Sequence, residues 1–341
     1  MGKKQKLSVS AKFGLILSAI VLVVLLIVLF CNCRNRSEKY SKTIFVSIAS
    51  YRDSQCKNTI KELFTKAKNP QNIILGICDQ SKEKEEACGI INKYKANIRA
   101  LKLDPEEARG PLYARALIMP LYHNEDYFLQ IDSHTLCDKD WDVTLIDQIE
   151  ELKVKGFKKP IITSYIKDTK DRFNKLNFQL CKTINTSGGY PAQFDSVAKV
   201  HGDVFKKSMF LAGGFTFTIG DFVHDVRFPA SLAGIFNGEE ILLSYYAYCQ
   251  GYDIFSQKKN CLYHNYSQKG RKIFSRDNAK KQNEIEHKSK QKLLDLLFKF
   301  EPKHVSDRNP KDFWKKIGWD FKTKKIDQKI ENYWCNDSPE F

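Results

Sequence analysis

A chain of 341 residues with 42% hydrophobic and 28% charged side chains has length for one large domain or two smaller ones, and is too apolar to be disordered throughout. Its 56 lysines and arginines against 40 acidic residues leave a formal charge of +16, which attracts anions such as nucleic acid, lipid headgroups or a phosphorylated small molecule. Zinc-finger and RNA-recognition signatures are missing, so nucleic acid is not expected as a partner, and ten cysteines without a CxxC pair exclude zinc-ribbon and thioredoxin readings.

Residues 1–12 carry Lys3, Lys4, Lys6 and Lys12 and no acid, and residues 13–31 then run for 19 residues without a charge. A bilayer core needs roughly 20 helical residues, and the run lacks the small residues of a cleavage site, so it reads as an uncleaved transmembrane signal anchor. The lysines favour a cytoplasmic N-terminus. Arg34, Arg36, Lys39 and Lys42 beyond the span make that bias small. The expectation is a single-pass type II membrane protein of the Golgi or ER with a lumenal catalytic part, joined to its anchor by a polar stem at residues 32–42. Eight cysteines lie beyond the stem, an even number that permits disulfides without fixing their pairing, and Cys78 beside the apolar run 73–77 reads as a buried free thiol.

From Thr43 apolar runs alternate with helical patterns. Strands are expected at 44–49, 72–78, 98–103, 127–131 and 160–165, and helices at 55–68, 82–95, 112–121 and 142–155. This alternation implies a mostly parallel α/β sheet with helices on both faces, and it places the ends of the first and fourth strands on one rim. Beyond it, residues 185–191 are loop chemistry, Gly213-Gly214 sits in an aromatic stretch where backbone approaches a ligand or forms a bulge, and 237–240 opens a helix running to about Gln250. Residues 262–266 carry His264, a basic run spans 269–281, and 288–300 is amphipathic.

The fourth strand ends in Asp132-Ser133-His134. Two residues apart on extended chain, Asp132 and His134 point to one side, at the strand end where open α/β sheets bind ligands. One hard oxygen and one imidazole suit Mn²⁺ or a similar octahedral ion that also takes phosphate oxygens. The same residues also fit a turn. Asp138, Asp140 and Asp142 lack the Gly and terminal Glu of an EF-hand and read as loop and helix-start residues, with Asp140 at the N-cap.

Three stretches, 44–53 (Ile-Phe-Val-Ser-Ile-Ala-Ser-Tyr-Arg-Asp), 108–115 (Ala-Arg-Gly-Pro-Leu-Tyr-Ala-Arg) and 130–134 (Gln-Ile-Asp-Ser-His), followed in order by Gly213-Gly214 and Gly238-Glu239-Glu240, carry a resemblance. Residues 43 to about 268 resemble the polypeptide α-N-acetylglucosaminyltransferases that act on protein hydroxyproline or on mucin-type Thr and Ser. The resemblance implies a GT-A fold, a Rossmann-like nucleotide-diphospho-sugar transferase domain, with residues 269–341 as a basic extension packing on it. It further implies a UDP-sugar donor, usually UDP-GlcNAc, a divalent cation such as Mn²⁺, retention of anomeric configuration, and a hydroxyl of a protein acceptor.

Residue by residue, the resemblance implies metal ligation by Asp132 and His134, with His264 as a third ligand. Nucleotide or phosphate contacts fall to Ser50, Tyr51, Arg52, Arg109, Arg115, Ser133, Gly213 and Gly214, and Asp132, Glu239 and Glu240 belong to the catalytic set. Arg109 and Arg115 also fit ion pairs with Asp104, Glu106 or Glu107, and Glu239 and Glu240 also fit a helix start on dipole grounds. A same-fold transferase with another UDP-sugar or a glycan acceptor, and a non-catalytic carbohydrate-binding scaffold, are the competing readings. Asn35, Asn185, Asn265 and Asn336 head glycosylation sequons, and a glycan on Asn265 would crowd a metal on His264. Oligomeric state is not readable from the chain.

Overall fold

Alternating apolar residues decide which way each strand faces, and in residues 43–341 they build a sheet buried on both sides. The computed structural model describes residues 20–26, 41–89, 91–173, 177–185, 189–199, 204–299 and 306–341. Its strands in chain order begin β1 (Ile44–Tyr51), β2 (Ile73–Gln80), β3 (Ile98–Lys102), β4 (Tyr127–Asp132), β5 (Thr135–Cys137) and β6 (Pro160–Thr163). They continue with β7 (Asn177–Asn185), β8 (Gln193–Lys199), β9 (Lys207–Ser208), β10 (Phe215–Ile219), β11 (Asp253–Phe255) and β12 (Leu262–His264). The main sheet has the order β3-β2-β1-β4-β10-β6-β11-β9. β3, β2, β1 and β4 run parallel, and β10 enters antiparallel to both β4 and β6.

Helices α1 (Cys56–Lys66), α2 (Pro111–Ile118), α3 (Trp141–Val154), α4 (Phe222–Asp225), α5 (Glu239–Cys249), α6 (Phe274–Asp277), α7 (Ala279–Phe298) and α8 (Pro310–Lys316) cover the sheet. Ile44, Val46 and Ile48 of β1 share one core with Tyr127, Leu129 and Ile131 of β4, together with α1 and α3 side chains such as Leu63 and Trp141. Phe45 and Phe128 turn to the other core, shared with Leu112 of α2, Leu242 of α5, Leu293 of α7 and Trp314 of α8. Period-two alternation thus assigns each strand residue to a face, and each buried large apolar side chain contributes roughly 1.5–3 kcal/mol.

The expected helix at 82–95 does not form. Cys88 is bonded to Cys56 of α1, its N–H donates to Asp79 Oδ2 at 3.2 Å, and Gly89 has φ +74°, so the segment turns back on β2 and resumes as a 3₁₀ turn at Asn92–Asn97. A second disulfide, Cys181–Cys335, ties β7 to the C-terminal segment, while Cys78, Cys137, Cys249 and Cys261 are buried thiols outside both disulfides. Asp140 precedes α3 but makes no side-chain cap, because its φ of 61° turns the side chain away; Asp142 instead accepts from the N–H groups of Lys68 and Asn69 at 2.8 and 2.9 Å.

Residues 1–42 form a separate unit, in which 20–26 are helical inside the apolar run. The rest of the expected span lies outside the described residues, and among the described residues no helix is long and apolar enough to cross a membrane.

Candidate metal and donor site

β1 and β4 lie side by side, with β2 and β3 continuing one way and β10 the other, so their carboxyl ends open at the point where the strand order reverses. Asp132 closes β4 there, opposite Ala49 of β1. The chain then makes a tight turn into β5, held by Thr135 Oγ1 donating to the Asp132 carbonyl at 2.8 Å. Thr59 of α1 fastens the same turn, donating to the Ser133 carbonyl at 2.8 Å and accepting from Thr135 N–H at 3.1 Å.

β5 pairs antiparallel with β12 in a two-stranded ribbon, and its register sets His264 against Thr135. That pairing delivers His264 to the Asp132–His134 turn across a separation that no local spacing encodes. His264 Nε2 lies 3.1 Å from Asp132 Oδ2 and 2.8 Å from His134 Nε2, and the three ligating atoms fall within 4.8 Å of one another. His264 Nδ1 is buried with no hydrogen-bond partner. Two imidazole nitrogens and a carboxylate oxygen facing one point, with at most a shared proton between them, are a donor set that fits a divalent cation.

The other side of Asp132 is closed. Arg115 of α2, buried, donates through Nη2 to Asp132 Oδ1 at 3.1 Å and pairs through Nη1 with Glu239 Oε1 at the start of α5. Gly238, with φ 115°, turns the chain into that helix. Next to Glu239, Glu240 accepts from Gly213 N–H at 2.8 Å and from the Tyr165 hydroxyl at 3.0 Å. Burial opposes ionisation of Asp132, but His264, Arg115 and His134 outweigh it and hold the carboxyl well below the usual carboxylate range. Burial pushes Glu240 up to about 7; Glu239 adds to the rise, against the Gly213 and Tyr165 hydrogen bonds and Arg115.

At the end of β1, Ser50 is buried and its Oγ has no partner. The Tyr51 hydroxyl accepts from Asn278 Nδ2 at 2.8 Å, and its ring meets Phe274 of α6 edge to face at 5.6 Å. Arg52 pairs with Glu86 at 2.9 Å and Asp277 at 3.2 Å. The basic run 269–281 therefore crosses the rim at β1.

Several expected site residues sit differently. Arg115, expected at phosphate, lies beneath Asp132 with its side chain 6% exposed, so its charge is spent on Asp132 and Glu239. Ser133 faces inward, donating to Asp53 Oδ2 at 2.7 Å. Arg109 stacks on Tyr113 at 5.3 Å and its carbonyl accepts from Gly234 N–H at 2.6 Å. Gly213 and Gly214 make room for side chains: a Cβ on Gly214 would stand 2.9 Å from Asp132 Oδ2, and one on Gly213 would stand 3.1 Å from Arg115 Nη1. Asn265 is engaged beside the site, its Nδ2 donating to Gln55 Oε1 at 2.7 Å. Asp53 and Tyr165 join the site without a role read from the sequence; the signals for Asp53 are its place just past the first strand, on the rim shared with Asp132, and its position at the end of the 44–53 stretch of the resemblance.

The family model described as Glycosyltransferase (GlcNAc) matches residues 43–97 and 90–334. No curated protein matches the chain. The crystal structure of GalNAc-T7 with UDP, GalNAc and Mn²⁺ is 14% identical over 67% of this chain with a TM-score of 0.49, and the chain spans 44% of that structure's length. Staphylococcus aureus TarS 1–349 in complex with UDP-GlcNAc is 13% identical over 84% of this chain and 82% of its own, with a TM-score of 0.44. Mannosyltransferase PcManGT from Pyrobaculum calidifontis, in complex with GDP-Man and Mn²⁺, is 10% identical over 67% of this chain and 58% of its own, with a TM-score of 0.43.

Proposed function

We propose, from the premise that the chain belongs to the GlcNAc glycosyltransferase family whose model it matches over residues 43–97 and 90–334, that it is a retaining GT-A transferase moving N-acetylglucosamine from UDP-GlcNAc to a hydroxyl of a protein acceptor. The observation that carries this reading is the arrival of His264 beside Asp132 and His134, at 3.1 and 2.8 Å, on the rim where strand order reverses. These three side chains would hold Mn²⁺ or a related cation, whose charge offsets the negative charge building on the departing diphosphate.

The protein's own groups prepare that site. Arg115, itself paired with Glu239, meets Asp132 Oδ1 from below, which leaves Oδ2 turned toward the imidazoles. Glu239 is committed to Arg115 and Glu240 to Gly213 and Tyr165, so both support the site rather than act as a free base. In a retaining transfer the acceptor hydroxyl attacks the face the diphosphate leaves, with that diphosphate receiving the proton, and charge stabilisation matters more than a protein base. The segment 269–281, whose Phe274 and Asp277 touch Tyr51 and Arg52 at the end of β1, also carries Lys269, Arg271, Lys272 and Arg276, a positive charge that would favour an anionic donor.

A panel of UDP-sugars assayed with and without Mn²⁺ tests the reading: turnover of UDP-GlcNAc that chelation abolishes supports it, and turnover of UDP-Gal or UDP-Glc alone would sink the donor assignment. The type II orientation belongs to the same proposal, resting on the 19-residue apolar run and the lysines before it. Protease protection of the C-terminal part in sealed microsomes is its expected result, and ready digestion would refute it.

A further inference from the structure

His134 can serve a cation through Nε2 only if the proton of its neutral ring sits on Nδ1. We infer that Asp53 is the positioning residue that fixes that tautomer and the rotation of the ring, so that the Nε2 lone pair faces Asp132 and His264.

Asp53 is 3% exposed, at the turn between β1 and α1. Its Oδ2 lies 2.8 Å from His134 Nδ1 and accepts from Ser133 Oγ at 2.7 Å, and its Oδ1 accepts from Gln55 N–H at 3.0 Å. An ionised carboxylate only accepts hydrogen bonds, so the His134 nitrogen facing it must carry the proton. Among the described residues no lysine or arginine forms an ion pair with Asp53, and the group that faces its Oδ2 from the turn after β4 is the His134 imidazole. Buried carboxylates are expensive to leave uncompensated, and this one is compensated by His134 and Ser133 of the β4 turn and by the Gln55 N–H.

The backbone explains how a residue just past β1 reaches under β4. Arg52 is a non-glycine residue at φ 48°, the left-handed region that reverses the chain direction. Its N–H donates to the Gln80 carbonyl at 3.0 Å and its guanidinium is clamped by Glu86 and Asp277. With Arg52 so held, Asp53 turns inward beneath His134 instead of following the rim outward. The clamp through Asp277 also links α6 to this turn.

The inference depends on the proposed function only for its consequence in metal binding, and its test has an arm free of metal. Nitrogen-15 NMR of histidine-labelled, metal-free full-length chain should show His134 protonated at Nδ1, and Asp53→Asn should mix or reverse that tautomer. Mn²⁺ titration followed by electron paramagnetic resonance should show about 10- to 100-fold weaker binding for Asp53→Asn, the usual effect of losing an outer partner of a ligating histidine. In a His134→Ala background the same change should cost nothing further, since its effect passes through that ring. Unaltered melting temperature and an intact Cys56–Cys88 disulfide would show that Asp53→Asn folds. A His134 ring protonated at Nε2 in the metal-free protein overturns the inference, as does an equal loss of Mn²⁺ affinity with and without His134. Failure of the unmodified chain to bind Mn²⁺ would instead overturn the metal assignment, and the NMR arm would still decide the role of Asp53.

Discussion

Asp132 shows its two oxygens to two differently built surroundings. Beneath Oδ1 lie Arg115, Glu239 and, one residue on, Glu240, buried charges closed by one another and by the hydrogen bonds of Gly213 and Tyr165. Around Oδ2 stand His134 and His264, whose Nε2 atoms face each other at 2.8 Å and whose remaining nitrogens differ: one is met by Asp53, the other has no partner. The first side is a finished network that serves the fold, and the second is a donor set that would fit a divalent cation. One carboxylate can do both because its anchored oxygen keeps the free one in place.

Asp132→Ala removes both sides at once and has the largest expected effect. Glycosyl transfer should fall at least about 10³-fold, as the loss of several kcal/mol of metal-borne stabilisation requires, in steady-state assays at saturating donor. Next comes a pair that separates the sides. Arg115→Met leaves Glu239 as an uncompensated buried charge and takes one partner from Asp132, and it should lower unfolding free energy by about 3–5 kcal/mol in urea titrations. His264→Gln should cost about 1 kcal/mol in the absence of metal, while Mn²⁺ affinity collapses. Equal stability losses in the two variants would erase the distinction between network and ligand set.

A subtler effect belongs to Glu240, whose folded value of about 7 stands above the unfolded 4.5. The folded chain therefore holds its proton more tightly, and stability is lost as pH rises from the unfolded value through the folded one. Glu240→Gln should be neutral near pH 4 and should raise stability by on the order of 2–3 kcal/mol above pH 7, read from melting temperatures across that range. Smallest is Tyr51→Phe, which deletes the acceptor of Asn278 Nδ2 and should loosen α6 by about 1 kcal/mol, visible as faster hydrogen exchange at 274–278 with transfer nearly unchanged.

The two sides also differ in how far the chain could be read before the fold was known. β1, β2 and β4 stood out as apolar runs because most of their residues are buried on both faces, whereas β3 is a partly exposed edge strand, and Asp132 with His134 followed from period-two geometry at a strand end. His264 was reached through family resemblance, since only the β5–β12 register carries it to the turn. The pairing of Arg115 is not legible in the sequence, because helix position alone does not reveal that its partner Glu239 lies in α5. Nor is the role of Asp53, because its inward turn depends on Arg52 at φ 48°, a conformation that residue type does not announce. The failed helix at 82–95 has a similar cause: local composition favoured it, and the Cys56–Cys88 bond with the Asp79 contact overrode it.

The measurement closest to the centre of this account is electron spin-echo modulation of Mn²⁺ bound to the full-length chain, comparing the unmodified protein with His134→Ala and His264→Ala. Modulation from two imidazole nitrogens, reduced to one in either variant, is the predicted result. A spectrum with one imidazole, unchanged by His264→Ala, would show that β12 does not complete the site and would contradict the account.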